Sequence, residues 1–264
     1  MITDAPMAIH IGLMKTGTTT LQEHVFPRCQ GVAYFGKPNP ALARPIRAIT
    51  TLDEVRWSQA QPAVIDAFRA GLAGAGPRVL LSEEEFSVGG EIDSAADRAT
   101  IAGRLHDLFP AATIVVVVRN QLTALQSLYG YVRGRAPGVG EFAPWLARHS
   151  AQVVPHRGLD LFDYASLLSL YTARFPPEKV KVLFYEDMVG QWSTFLADLA
   201  VAIGLPAHAM SAIDNQRHNT RPSGLNTAYS AEHGDLVAQR FGASNSRLAT
   251  VLGKDVAALG YPCQ

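Results

Sequence analysis

The densest group of chemically able residues is Ile9-His10-Ile11-Gly12-Leu13-Met14-Lys15-Thr16-Gly17-Thr18-Thr19-Thr20-Leu21. An apolar strand pattern enters a loop bounded by Gly12 and Gly17, and the helical pattern behind it opens on Thr18, Thr19 and Thr20. Glycines let the backbone turn tightly and approach a ligand, and the amides of the following turn then point at one place. A nest of that kind prefers a phosphate-like anion. Lys15 adds a full positive charge inside the loop, and the hydroxyls of Thr18 and Thr19 can donate to anion oxygens. The spacing is close to a Walker loop, Gly-x-x-x-x-Gly-Lys-Ser/Thr, but Thr18 stands at the lysine position and Lys15 lies two residues before Gly17. In a nucleoside-triphosphate enzyme that lysine must meet the β- and γ-phosphates, so the displaced Lys15 argues against ordinary ATP or GTP chemistry.

Two further groups sit at strand ends. The run Ile114 to Val118 stops at Arg119-Asn120 and is followed by helical spacing from Leu122 to Val132. Leu122, Leu125, Leu128 and Val132 form the expected core stripe, with Thr123, Ser127 and Tyr131 at i, i+4 on the other side. A guanidinium at a strand's carboxyl end and the Ser127 hydroxyl can grip a second phosphate, although a structural ion-pair arginine reads equally well in isolation. The run Arg78 to Ser82 ends in Glu83-Glu84-Glu85-Phe86. A partly desolvated glutamate there can serve as a general base near neutral pH, while its neighbours cap a helix or face solvent.

Lys15-Thr16-Gly17-Thr18-Thr19-Thr20-Leu21-Gln22 resembles the 5′-phosphosulfate loop of the sulfotransferases that use 3′-phosphoadenosine 5′-phosphosulfate (PAPS), where lysine also precedes Thr-Gly-Thr-Thr. The resemblance implies that Lys15, Thr16, Gly17, Thr18 and Thr19 bind this cofactor, with Lys15 also stabilising charge on the departing phosphate. Family members hold the 3′-phosphate with an arginine ending a strand and a serine eight positions later, the spacing of Arg119 and Ser127. Many have a proline shortly after the arginine, where this chain has Asn120-Gln121. Many bacterial relatives carry Ser-x-Glu at the carboxylate-bearing strand end, which points to Glu84 as the base. Glu83, Glu85 and His10 are the other candidates.

On this reading the chain moves a sulfuryl group from PAPS to a hydroxyl of a carbohydrate or small metabolite, in line, with fixed cations in place of a metal. The segment from Val180 to Asp187 also resembles the family, which often ends a strand in Tyr-Glu-Asp. So does the C-terminal stretch from Asn245 to Pro262. The loop at 214–224, with Arg217 and Arg221, matches by position and charge a loop that closes over the adenine and 3′-phosphate. Two alternatives stand beside this. One is a P-loop kinase of a small molecule, whose acidic strand ends imitate a Walker B and which Thr18 disfavours. The other is a non-catalytic nucleotide-binding protein of the same fold.

The elements that must position these residues follow a repeated order. Short β-branched runs at Met7–Gly12, Arg78–Ser82, Thr113–Val118 and Lys179–Tyr185 alternate with helical patterns at Thr18–Val25, Leu52–Leu72, Ser94–Phe109, Leu122–Val132, Phe162–Arg174 and Ser193–Ile203. Continuous apolar strands are buried on both faces. The expectation is an α/β fold of three layers, P-loop-like, with a mostly parallel central sheet and helices on both faces. Ligands bind beyond the carboxyl ends of such strands. Residues 1–264 read as one domain, with irregular segments at 135–157 (an acceptor-side lid) and 214–224 (a cofactor-side loop).

Composition narrows the classes further. Among 264 residues, 23 basic and 23 acidic side chains balance, which excludes the global basic field of a general nucleic-acid binder. Hydrophobic residues make up 48% and charged ones 17%, so the chain can fill a core. Cys29 and Cys263 cannot build a disulfide framework, and the histidines, His149 and His156 included, lack metal-ligand spacing. Met1 to Met7 lacks a secretory pattern and no run is long enough to span a bilayer, so a cytoplasmic location is expected.

Overall fold

The computed structural model describes residues 2–37, 40–88, 96–152, 158–215 and 229–264. The chain opens with strand β1 (Met7–His10) and helix α1 (Thr18–Thr20), which continues through a wide turn at Leu21–Val25. Strand β2 (Ala33–Phe35), helices α2 (Ala43–Thr51) and α3 (Glu54–Leu72), and strand β3 (Val79–Ser82) follow. Next come α4 (Glu85–Val88), α5 (Arg98–Leu108), β4 (Thr113–Val118), α6 (Gln121–Arg135), α7 (Phe142–Ala151) and α8 (Tyr164–Thr172). Strand β5 (Val180–Phe184), α9 (Tyr185–Gly190), α10 (Trp192–Ala202) and α11 (Ala231–Leu252) complete the order.

The strands form one all-parallel sheet in the order β2-β3-β1-β4-β5. In register, His10 lies opposite Ser82 and Val115, and Phe35 opposite Leu81. Strands β1 and β3 are buried throughout and β4 nearly so, as their continuous apolar runs require. Strand β5 differs: it closes an edge of the sheet, and Lys181 alternates outward to solvent. Side chains of Ala8, Leu80, Val115 and Val117 pack on one face against Leu21, Val25, Phe26, Leu196 and Leu199. Their neighbours Ile9, Leu81, Ile114 and Val116 are equally buried and point the other way, so both faces are covered. Each of the larger side chains among them contributes roughly 1.5–3 kcal/mol of burial free energy.

The chain divides into two compact units, Met1–Val117 with Ser169–Gln216 and Val118–Leu168 with Arg217–Gln264. In the first, buried arginines on α5 tie down the elements before it. Arg104, 3% exposed, donates to the Ile49 carbonyl and to Glu54 at 2.8 Å each, its guanidinium 4.6 Å from the Trp57 ring. Arg98 donates to the Ser87 carbonyl, and Tyr171 donates to that of Phe86 at 2.8 Å, so α4 is pinned at both residues. Helix α2 and strand β2 are absent from the sequence expectation. Pro45 in the first turn of α2 and the brevity of β2 hide the patterns.

In the second unit the expected stripe of α6 is rotated. The buried residues are Gln121, Ala124, Leu125, Tyr129 and Gly130, while Leu122, Leu128 and Val132 are half-buried. Polar contacts decide this. Gln121 and Asn245 exchange amide hydrogen bonds at 2.9 and 3.0 Å, and the Tyr129 ring joins Phe142 and Trp145. Much of the expected lid at 135–157 is the helix α7, with Phe142, Trp145 and Leu146 buried at i, i+3, i+4; residues 153–157, including His156, lie outside the described residues. Asn120 and Gln121 after β4 also have structural work. Asn120 Oδ1 accepts from the Thr123 amide at 3.0 Å and so caps α6. Replacing Asn120 with alanine is expected to lower unfolding free energy by about 1 kcal/mol, read from the denaturant midpoint.

Candidate active site

Strand β1, flanked by β3 and β4, is the point where the strand order reverses, and its carboxyl end carries the glycine loop. Three residues there have left-handed backbone: Gly12 at φ 46°, Lys15 at 66° and Gly17 at 86°. Lys15 is the one non-glycine with positive φ among the described residues, a conformation that costs energy without a glycine. The hydroxyls of Thr16 and Thr18 both donate to the Leu13 carbonyl, at 2.9 and 2.8 Å, and Thr18 Oγ1 also accepts from the Leu13 amide at 3.3 Å. Those two buried side chains close the loop on itself. What they can give an outside anion is the backbone amide, while Lys15 and Thr19 remain half-buried at its rim.

Glycine is required at both loop ends by what lies against them. A Cβ on Gly12 would stand 3.0 Å from Glu84 Cα and 3.1 Å from its Cγ. A Cβ on Gly17 would stand 2.8 Å from Met188 Sδ and 3.3 Å from the Tyr185 ring. The start of α9, in the Tyr-Glu-Asp stretch, therefore buttresses the loop from one side, and the carboxylate-bearing end of β3 meets it from the other.

The three glutamates have different surroundings. Glu83 Oε1 accepts from the amides of Glu84 at 2.8 Å and Glu85 at 3.4 Å, which caps the short α4. Glu85 Oε2 accepts from Thr50 Oγ1 at 2.7 Å. The Glu84 carboxylate accepts no hydrogen bond from the described residues, and burial lifts its pKa above the ordinary carboxylate value. The positive charges of Lys37 and, less strongly, Lys15 pull it back. Lys37 is the residue that sequence reasoning missed. It follows β2 by two positions, and the Tyr34 hydroxyl donates to its carbonyl at 2.8 Å. The signal was Tyr34-Phe35-Gly36-Lys37, a strand end with a cation, in a strand too short for its period to show.

His10 is fully buried, bonded through Nδ1 to Ser82 Oγ at 2.8 Å, and burial lowers its pKa from 6.5 to about 3. A neutral, enclosed imidazole is poorly placed to take a proton from a bound alcohol. Lys15, Thr16, Gly17, Thr18, Thr19 and Glu84 thus come together in the first unit. Arg119 and Ser127 lie in the second, Arg119 directly after β4 and Ser127 half-buried on α6. Arg119 Nε donates to Thr123 Oγ1 at 2.8 Å, and its carbonyl accepts from Tyr164 at 2.5 Å. Positions 119, 123 and 127 follow one another at i, i+4 spacing. Arg217 and Arg221 lie outside the described residues. Among the described residues no group of three metal-ligating side chains occurs, and no helix is long and apolar enough to cross a membrane.

No protein-family model matches the sequence, and no curated protein does. Solved structures match it along nearly its whole length. The crystal structure of a sulfotransferase from Alicyclobacillus acidocaldarius aligns with TM-score 0.65 and 15% identity, covering 97% of this chain and 99% of that one. The fold is that of the sulfotransferases. The same sulfotransferase fold relates the chain to mouse sulfotransferase SULT7A1 complexed with PAP, at TM-score 0.53 and 13% identity, over 95% of this chain and 89% of that one. The sulfotransferase domain from the curacin biosynthetic pathway gives 0.52 and 15%, over 96% and 99%. The sulfotransferase fold spans both compact units.

Lys37→Met is expected to raise the Glu84 carboxyl pKa and Lys15→Met to raise it less, both read by NMR titration of the labelled side chain. For His10, the unfolded chain takes up a proton between 6.5 and about 3 that the folded chain refuses. Its contribution to stability is full above 6.5 and is lost as pH falls toward about 3. Urea unfolding of His10→Asn across that window should show a shallower acid decline than the wild type.

Proposed function

We propose that this chain transfers a sulfuryl group from PAPS to the hydroxyl of a carbohydrate or small-metabolite acceptor. The observation that carries the reading is the contact between loop and base: Glu84 packs against Gly12 of a lysine-bearing loop rich in positive φ. Its support is the sulfotransferase fold, together with the Lys15-Thr16-Gly17-Thr18-Thr19 spacing. The residues fit such a donor. The loop combines a cation with backbone amides, and the Thr16 and Thr18 hydroxyls are already used within the loop while Thr19 stays at its rim.

PAPS supplies an activated sulfuryl group and leaves as adenosine 3′,5′-bisphosphate. Lys15 and the loop amides neutralise charge that grows on the bridging oxygen as its bond to sulfur breaks. Glu84 accepts the proton of the acceptor hydroxyl while that oxygen forms its bond to sulfur. Burial raises the basicity of Glu84, and the charges of Lys37 and Lys15 favour its ionised form. Arg119 and Ser127 are assigned the 3′-phosphate on their eight-residue spacing. The serine hydroxyl and guanidinium are suitable donors for it.

Adenosine 3′,5′-bisphosphate without magnesium is expected to raise the melting temperature, and Lys15→Ala or Arg119→Ala should weaken that rise. Glu84→Gln should keep the rise and lose transfer by roughly 100-fold or more, measured with radiolabelled PAPS. Stabilisation by magnesium-ATP and not by the bisphosphate would overturn the reading in favour of a kinase.

A further inference from the structure

Beneath the loop lies a buried polar group that the proposed chemistry does not use. Ser82 Oγ is bonded to His10 Nδ1 at 2.8 Å and accepts from Gln22 Nε2 at 3.0 Å, and the Tyr34 hydroxyl and the Ser82 carbonyl crowd the same position beside Gly36. His10, Ser82 and Gln22 are 0%, 0% and 1% exposed. Each comes from a different element. His10 ends β1 two residues before Gly12, and Ser82 ends β3 two residues before Glu84. Gln22 lies in the wide turn after the loop threonines, and Tyr34 is on β2 three residues before Lys37.

The surrounding backbone follows the same convergence. The Glu83 amide donates to the His10 carbonyl at 3.1 Å, Ile11 donates to Val115 at 2.9 Å, and Tyr34 donates to the Lys37 carbonyl. A Cβ on Gly36 would stand 2.8 Å from the Ser82 carbonyl, so the turn that carries Lys37 lies directly on this point. Strand pairing by itself would hold β1, β2 and β3 in register, and apolar residues at these positions would serve it as well. The polar set is costly for stability, since His10 Nε2 and Gln22 Oε1 are buried without a hydrogen-bond partner among the described residues.

We propose that the Ser82-centred node of His10, Gln22 and Tyr34 is a positioning device that fixes the glycine loop, Glu84 and Lys37 in one reactive geometry. The inference rests on the reading of Glu84 as base, and it assigns the node residues no contact with substrate. A loop and a base held by separate elements drift apart unless side chains link their ends, and an error near 1 Å costs on the order of 100-fold in rate. The node links those ends by hydrogen bonds whose directions do not tolerate sliding.

The test compares Ser82→Ala, His10→Gln and His10→Asn. Asparagine can present an oxygen or an amide nitrogen where Nδ1 stood, whereas glutamine reaches the place of Nε2. Ser82→Ala and His10→Gln are expected to lower kcat about tenfold or more. Their KM for the acceptor and their stabilisation by adenosine 3′,5′-bisphosphate should stay near wild type. His10→Asn should keep kcat within about threefold. Wild-type kcat in Ser82→Ala and His10→Gln, or an equal loss in His10→Asn and His10→Gln, would overturn the proposal. Hydrogen exchange of the amides at 12–17 and 83–85 supplies a readout that needs no reaction. If the wild type transfers no sulfuryl group, the reading of Glu84 fails; faster exchange at both segments in Ser82→Ala still supports the node, and unchanged exchange overturns it.

Discussion

The missing side chain of Gly12 lets the carboxylate-bearing end of β3 lie directly against the glycine loop. The Glu84 backbone comes so close to that glycine that a single Cβ would stand 3.0 Å from its Cα. The rest of the site is arranged around this approach. Parallel pairing of β1 with β3 sets His10 opposite Ser82, which delivers the loop and the glutamate run to the same edge of the sheet. The opposite flank of the loop is supported at Gly17 by Met188 and Tyr185. With both flanks held, the loop can keep Lys15 at a backbone angle that only glycine adopts without cost.

The electrostatics follow from the same closeness. Burial penalises the charged form of Glu84, and the lysines on either side restore part of what burial removes. Burial thus works against the charged form and the lysines work for it. The neighbouring glutamates are drawn into structure, Glu83 by the amides of α4 and Glu85 by Thr50, which leaves the middle one to face the loop. Net charge over the whole chain is zero, and the cations beside Glu84 are the local pair Lys37 and Lys15.

Much of the fold was legible because its signals are local. The runs at β1, β3 and β4 are continuous and β-branched, and parallel strands buried on both faces read that way. The loop was legible for the same reason, since two glycines, a lysine and four threonines fall within a few residues. Other features were hidden. The core face of α6 turns on Gln121, a polar residue that is buried because Asn245 answers it from far along the chain. Helix α7 was obscured by Pro144 and the glycines before it, although Phe142, Trp145 and Leu146 already had helical spacing. Strand β2 is too short for its period to show, and Lys37 was lost with it.

By itself the sequence determined which residue types stand at which strand ends: a loop of glycines, lysine and threonines, an arginine with a later serine, and a run of glutamates. Local backbone preference and short spacing carry that information, so no partner from elsewhere in the chain is needed to read it. The resemblance at Ser82-x-Glu84 points to Glu84, and only the tertiary structure decided that it lies against the loop, that Lys37 joins it, and that His10 is locked away as a neutral buried group. Those outcomes depend on strand order and register, which bring together residues dozens of positions apart. Burial then sets the charge each one can hold.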